Sequence, residues 1–104
     1  MRIGVVIPTY NERQNIGKLI PEIFSVAKTN KLVIEVLVVD DNSPDKTAEV
    51  VKGLVEKYNV KLIKRSKKLG IGSAYITAFK QLLPKQFDVI MQMDADFSHD
   101  PKDL

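Results

Sequence analysis

The chain has 104 residues, 28% charged and 44% hydrophobic, a balance that fits one ordinary globular domain and excludes a disordered or fibrous chain. It has no cysteine, so disulfides and thiolate metal centres are excluded, and the composition suits the cytoplasm. A formal charge of +3 admits anionic partners such as nucleotide phosphates or acidic lipid headgroups, and no apolar stretch reaches the length of a membrane-spanning helix.

Along the chain, apolar runs alternate with helical patterns. Ile3 to Ile7 reads as a buried strand, closed by Pro8. Ile16, Leu19, Ile20, Ile23 and Ala27 recur at helical spacing, and Pro21 inside that pattern predicts either a bend or a later helix start. Val36 to Val39 is a second strand. Ser43-Pro44 then predicts a helix start, serine capping and proline in the first turn, with Ala48, Val51, Val55 and Tyr58 as the apolar stripe. A weaker third strand covers Val60 to Ile63. Gly70 and Gly72 open a third helix whose apolar face is Ile71, Tyr75, Ala78, Phe79 and Leu82, ended by Pro84, and Phe87 to Met93 is the fourth strand.

Such alternation predicts an α/β fold, a Rossmann-like three-layer sandwich with a mostly parallel four-stranded sheet in the order 3-2-1-4. Strands 1 and 4 then flank the point where the winding reverses, and ligands in such sheets bind beyond the carboxyl ends of the strands there. The first two helices share one face. Strand 4 is left as an open edge beside a partly bare apolar face, which predicts self-association through that edge.

Polar residues fall after the strands as this arrangement requires. Pro8-Thr9-Tyr10-Asn11-Glu12 follows the first strand, Asp40-Asp41-Asn42-Ser43 the second, Lys64 to Lys68 the third, and Asp94-Ala95-Asp96 the fourth. Side chains on an extended chain alternate, so Asp94 and Asp96 can point the same way. Two carboxylates that close call for a cation between them, and a divalent metal completed by water and substrate phosphates fits. Tyr10 offers a ring face and a hydroxyl. Asn11 reads as the cap of the first helix. With Ser43 as the cap of the second, one of Asp40 and Asp41 is left to accept N–H bonds from a nucleobase. The basic run Lys64 to Lys68 reads as a solvated edge or as a phosphate or membrane contact. It lacks interleaved aromatics, so no nucleic acid is expected as a partner. Gly70-Ile71-Gly72 is a weak phosphate-loop signal, and His99 is an exposed loop residue or a ligand.

Val6-Ile7-Pro8-Thr9-Tyr10-Asn11-Glu12, Val38-Val39-Asp40-Asp41-Asn42-Ser43-Pro44-Asp45 and Met93-Asp94-Ala95-Asp96-Phe97-Ser98-His99 resemble, in order, three motifs of family-2 glycosyltransferases of the GT-A fold. Lys68-Leu69-Gly70-Ile71-Gly72-Ser73-Ala74-Tyr75 is similar to the dolichol-phosphate mannose synthases of that family. The resemblance covers essentially the whole chain. It implies inverting, metal-dependent transfer of mannose from GDP-mannose to a polyprenyl (dolichyl) phosphate at a membrane surface, with Mg2+ or Mn2+ as cofactor. Carried over by position, Pro8, Tyr10, Glu12, Val39 and Asp41 hold the nucleoside. Asp94, Ala95 and Asp96 sit at the diphosphate, with Asp94 and Asp96 as metal ligands and catalytic residues; Ser98 stands where some relatives place a further ligand. Asn42 and Lys46 replace glycines of the second motif. Asparagine tolerates left-handed backbone angles, and the lysine is expected only to remove a flexible position.

The family usually continues well beyond its DxD motif, so residues 1–104 are expected to be the N-terminal half of a GT-A fold, the nucleotide-sugar-binding part without the acceptor part. The expected location is the cytoplasm, peripheral on the cytoplasmic face of a membrane. Three other readings compete. One is a non-catalytic nucleotide-sugar-binding fragment, and another a family-2 transferase using a UDP-sugar such as UDP-glucose. The third, a phosphoacceptor receiver domain, requires its aspartate pair after the first strand, whereas here the pair follows the second.

Overall fold

The computed structural model describes residues 2–65, 76, 77, 80 and 87–95. Four strands, β1 (Arg2–Thr9), β2 (Val33–Asp40), β3 (Val60–Lys64) and β4 (Val89–Gln92), form one sheet in the order β3-β2-β1-β4, all pairs parallel. Helices α1 (Arg13–Thr29) and α2 (Thr47–Val55) provide the first two crossovers. The expected order and parallel pairing are therefore present. Of the expected third helix, Ile76, Thr77 and Lys80 are helical, while Gly70, Ile71, Gly72, Tyr75, Ala78, Phe79, Leu82 and Pro84 lie outside the described residues.

The central strands β1 and β2 are largely apolar, as expected where both faces of a parallel sheet are covered. On one face, Ile3, Val5 and Ile7 of β1 and Ile34, Val36 and Val38 of β2 meet Ile16, Leu19, Ile20, Ile23 and Ala27 of α1 and Val51 of α2. Each fully buried branched side chain stabilises the fold by about 1.5–3 kcal/mol. Gly17 faces α2, where an added Cβ would meet Val50 Cγ1 at 3.3 Å, so the absence of a side chain lets the two helices approach closely. On the second face Val6, Leu37 and Val39 are also buried, packed with Ile63, Phe87 and Ile90. At the β4 edge Val89 is exposed.

α1 runs through Pro21 to Thr29, so the proline does not delay the helix start. It ends in a Schellman arrangement: Leu32 N–H donates to Ala27 O at 2.9 Å and Lys31 N–H to Lys28 O at 3.4 Å, with Lys31 left-handed at φ 56°. α2 starts at Thr47, four residues after Ser43, and so corrects the expected serine cap. Neither Ser43 nor Asn11 caps a helix; the flanking residues are Lys46 for α2 and Glu12 for α1. Ser43 and Asn11 are occupied with each other, as described below.

Candidate functional site

Because every strand runs the same way, Thr9, Asp40, Lys64 and Gln92 end at one edge of the sheet. Asp41 N–H donates to Thr9 O at 3.1 Å, Arg65 N–H to Asp40 O at 2.8 Å and Met93 N–H to Val6 O at 2.9 Å. These bonds carry the ladder past the strand ends. The first residues of the β1–α1 loop, the β2–α2 loop and the segments after β3 and β4 are thus fixed side by side. That is the edge on which the sequence placed its polar groups.

The β1 exit presents Tyr10, exposed, followed by Asn11 in a left-handed conformation at φ 57°. Glu12 is half-buried, and its Oε2 accepts from Asn15 Nδ2 at 3.1 Å. Pro8 lies across the ladder from Val39, whose side chain is fully buried in the second-face cluster. Val39 therefore forms floor beneath the edge. Asp94 is half-buried and Ala95 buried at the β4 exit. Asp96, Ser98 and His99 lie outside the described residues.

Neither aspartate of the β2 exit stands idle. Asp40 is fully buried, its Oδ1 accepting from Thr9 Oγ1 at 2.8 Å and from Ser43 Oγ at 2.6 Å, and its Oδ2 from Ser43 N–H at 3.1 Å. Asp41 receives Arg65 as a fork, Nε to Oδ1 at 2.5 Å and Nη2 to Oδ2 at 2.7 Å. This corrects two expectations, a free aspartate at the β2 exit and a solvated edge at Arg65, whose side chain is buried. A carboxylate oxygen has two lone pairs, so the two bonds of the fork do not by themselves fill either oxygen of Asp41. The guanidinium fork fixes its direction. Lys64 is exposed, as expected.

Asp45, which no local sequence signal marks out, ties two helices. Its Oδ2 accepts from Arg13 N–H at 3.2 Å and its Oδ1 from Thr47 N–H at 3.0 Å and from the Thr47 hydroxyl. Arg13 and Thr47 are the first residues of α1 and α2, so one carboxylate serves both positive helix ends. Partial desolvation pushes the Asp45 carboxyl up, but bonds from the Thr47 hydroxyl and from the Arg13, Thr47 and Asp45 N–H groups outweigh it. The group stays below the usual carboxylate range. Asn42 is left-handed at φ 58°, as its residue type allows. Lys46 is left-handed too, at φ 67°, so the position does more than lose flexibility.

Among the described residues no three acidic or histidine side chains come together as a self-sufficient metal cage. Among the described residues Asp94 supplies a carboxylate at the β4 exit. A carboxylate there fits a hard divalent ion that completes its shell with phosphate and water.

Residues 4–104 match the family model for glycosyl transferase family 2. The chain belongs to this family. Over 102 residues this glycosyl transferase family 2 chain is 44% identical to a dolichol-phosphate mannosyltransferase of Pyrococcus furiosus, covering 98% of this chain and 28% of that protein. It is 36% identical to a polyprenol monophosphomannose synthase of Mycolicibacterium smegmatis, covering 99% and 38%. The chain therefore spans well under half the length of these curated relatives. Among solved structures, a mannosyltransferase of Pyrobaculum calidifontis in complex with GDP-Man and Mn2+ superimposes with a TM-score of 0.77 at 29% identity, over 91% of this chain and 27% of that one. The S. aureus TarS 1-349 in complex with UDP-GlcNAc gives 0.74 at 30% identity, over 92% and 27%. The sheet order and its two helices are those of the N-terminal portion of the GT-A glycosyltransferase fold.

Proposed function

We propose that residues 1–104 form the donor-binding part of an inverting, divalent-metal-dependent glycosyltransferase. The complete protein transfers mannose from GDP-mannose to a polyprenyl phosphate at a membrane surface. The observation that carries this reading is the convergence of Tyr10, Glu12, Asp41 and Asp94 on one sheet edge, at the switch point between β1 and β4. Support comes from the relatives named for dolichol- and polyprenol-phosphate mannose transfer and from the neighbour that holds GDP-Man and Mn2+.

In this reading Tyr10 gives the base a ring face, and Asp41, fixed by Arg65, accepts N–H bonds from the base edge. Pro8, Glu12 and Val39 complete the nucleoside pocket. Asp94 and Asp96 hold Mg2+ or Mn2+ against the donor diphosphate, with Ala95 between them; the ion, when bound, stabilises charge on the leaving diphosphate. A phosphate monoester acceptor has a second pKa near about 6 and is already largely ionised at neutral pH. It needs no strong general base, which agrees with a site built of carboxylates and donors. Among the described residues no helix is long and apolar enough to cross a membrane. The proposed location is the cytoplasmic face of a membrane, held peripherally.

A UDP-sugar donor is the second reading. A carboxylate accepts from guanine or uracil N–H alike, and the TarS neighbour holds UDP-GlcNAc. Calorimetric titration with GDP, UDP and their mannose and glucose conjugates, with and without Mn2+, separates the two. The expected result is GDP-mannose binding strengthened by Mn2+, and loss of that metal dependence in Asp96→Ala. Equal GDP affinity with and without metal in the unsubstituted chain would sink the assignment.

A further inference from the structure

Three consecutive backbone donors at the β1 exit are taken by three side chains of the β2–α2 loop. Asn11 N–H donates to Ser43 Oγ at 2.9 Å, Glu12 N–H to Thr47 Oγ1 at 3.1 Å and Arg13 N–H to Asp45 Oδ2 at 3.2 Å. Each acceptor is itself held. The Ser43 hydroxyl donates to Asp40 Oδ1, and the Thr47 hydroxyl donates to Asp45 Oδ1. The donor direction is consistent throughout, because each hydroxyl gives its one proton to a carboxylate and accepts an N–H. Thr47 is fully buried, so its geometry is set by packing as well.

We propose that Ser43, Asp45 and Thr47 are positioning residues for the nucleoside. They set Tyr10 and Glu12 against Asp41 by clasping the backbone of residues 11–13. The inference rests on the nucleotide reading above and adds residues that it does not use. Asn11 makes the turn between Tyr10 and Glu12 in a left-handed conformation that asparagine adopts readily, and the bond from its N–H to Ser43 Oγ fixes the turn against the neighbouring loop. Asp45 also brings a negative charge to the start of α1, beside Arg13 and Glu12 in a concavity of about 320 Å3.

The test compares Thr47→Val, Thr47→Ser and the unsubstituted chain by amide hydrogen exchange without ligand and by GDP titration with Mn2+. Thr47→Val removes the hydroxyl at nearly constant volume, and Thr47→Ser restores it. The expected result is Glu12 amide exchange accelerated roughly tenfold relative to the β1 amides in Thr47→Val, with GDP bound about tenfold more weakly, and both recovered in Thr47→Ser. An unchanged Glu12 amide in Thr47→Val, or unchanged GDP affinity with a faster amide, overturns the positioning role. If Thr47→Val does not fold, Ser43→Ala read at the Asn11 amide decides by the same criteria. An unsubstituted chain that binds neither GDP nor UDP overturns the nucleotide reading and the positioning role together, and the ligand-free amide pattern still reports whether the clasp exists.

Discussion

Arg65 meets Asp41 with two nitrogens on two oxygens, at 2.5 and 2.7 Å, and both side chains are only 8% exposed. The pairing follows from the sheet register. Asp40 lies opposite Lys64, so the next residue on each strand, Asp41 and Arg65, leave side by side. Removing one member of such a pair leaves a buried charge uncompensated, which costs far more than the pair contributes. Arg65→Met is therefore expected to destabilise the chain by about 3–5 kcal/mol. Asp41→Asn combined with Arg65→Met should cost clearly less than the sum of the single changes. Urea unfolding of the two single variants and the double variant measures the coupling. Strict additivity would mean that the fork does not form in solution.

The strand order, the two crossover helices on one face and the edge carrying the polar loops were all legible in the sequence, because short apolar runs and helical spacing survive without tertiary information. The pairing of Arg65 was not. Within a basic run its neighbours gave no reason to single it out, and only the β2–β3 register brings it to Asp41. The α2 start was also misplaced. Ser43 and Pro44 carry the residue types of a helix start, but the Ser43 hydroxyl is engaged by Asp40 and Asn11 from another loop. Local propensity lost to a tertiary contact there.

Lys31 and Lys46 sit at φ 56° and 67°, a region that costs an ordinary side chain about 1 kcal/mol or more. Glycine removes that cost but loses more freedom on folding, so part of the gain is returned. Lys31→Gly and Lys46→Gly are each expected to stabilise by about 0.5–1 kcal/mol. Lys31 lies between α1 and β2, far in the chain from the clasp, and serves as the reference for Lys46 in the loop that carries it. Thermal melting of the single variants and the double variant checks both size and additivity.

Asp45 gives the fold an acid-sensitive joint. Its folded-state pKa is depressed, so its contribution is present above the unfolded carboxylate value of about 3.9 and is lost as pH falls through the folded value. Asp45→Asn keeps an oxygen acceptor but no charge. The stability gap between the unsubstituted chain and Asp45→Asn is expected to be widest near neutral pH and to narrow below about pH 4. Denaturant unfolding at a series of pH values measures the gap. A gap independent of pH would mean that the carboxylate charge has no part in holding α1 and α2.

Asp40 and its neighbour Asp41 differ in kind, although the sequence offers them as a pair. Asp40 is enclosed, with acceptors filled by Thr9 and Ser43, and has no face left for a ligand. Thr9→Val removes one donor from a carboxylate that retains two others, and is expected to cost about 1–2 kcal/mol. Asp40→Ala leaves the Thr9 and Ser43 hydroxyls and the Ser43 N–H without their common acceptor. It should cost about 3 kcal/mol or more. Because Ser43 also accepts from Asn11, the effect of Asp40→Ala should reach the β1 exit as faster amide exchange at Asn11. Thr9→Val should leave that amide slow. Equal acceleration in both variants would place the link between the two loops elsewhere than through Asp40 and Ser43.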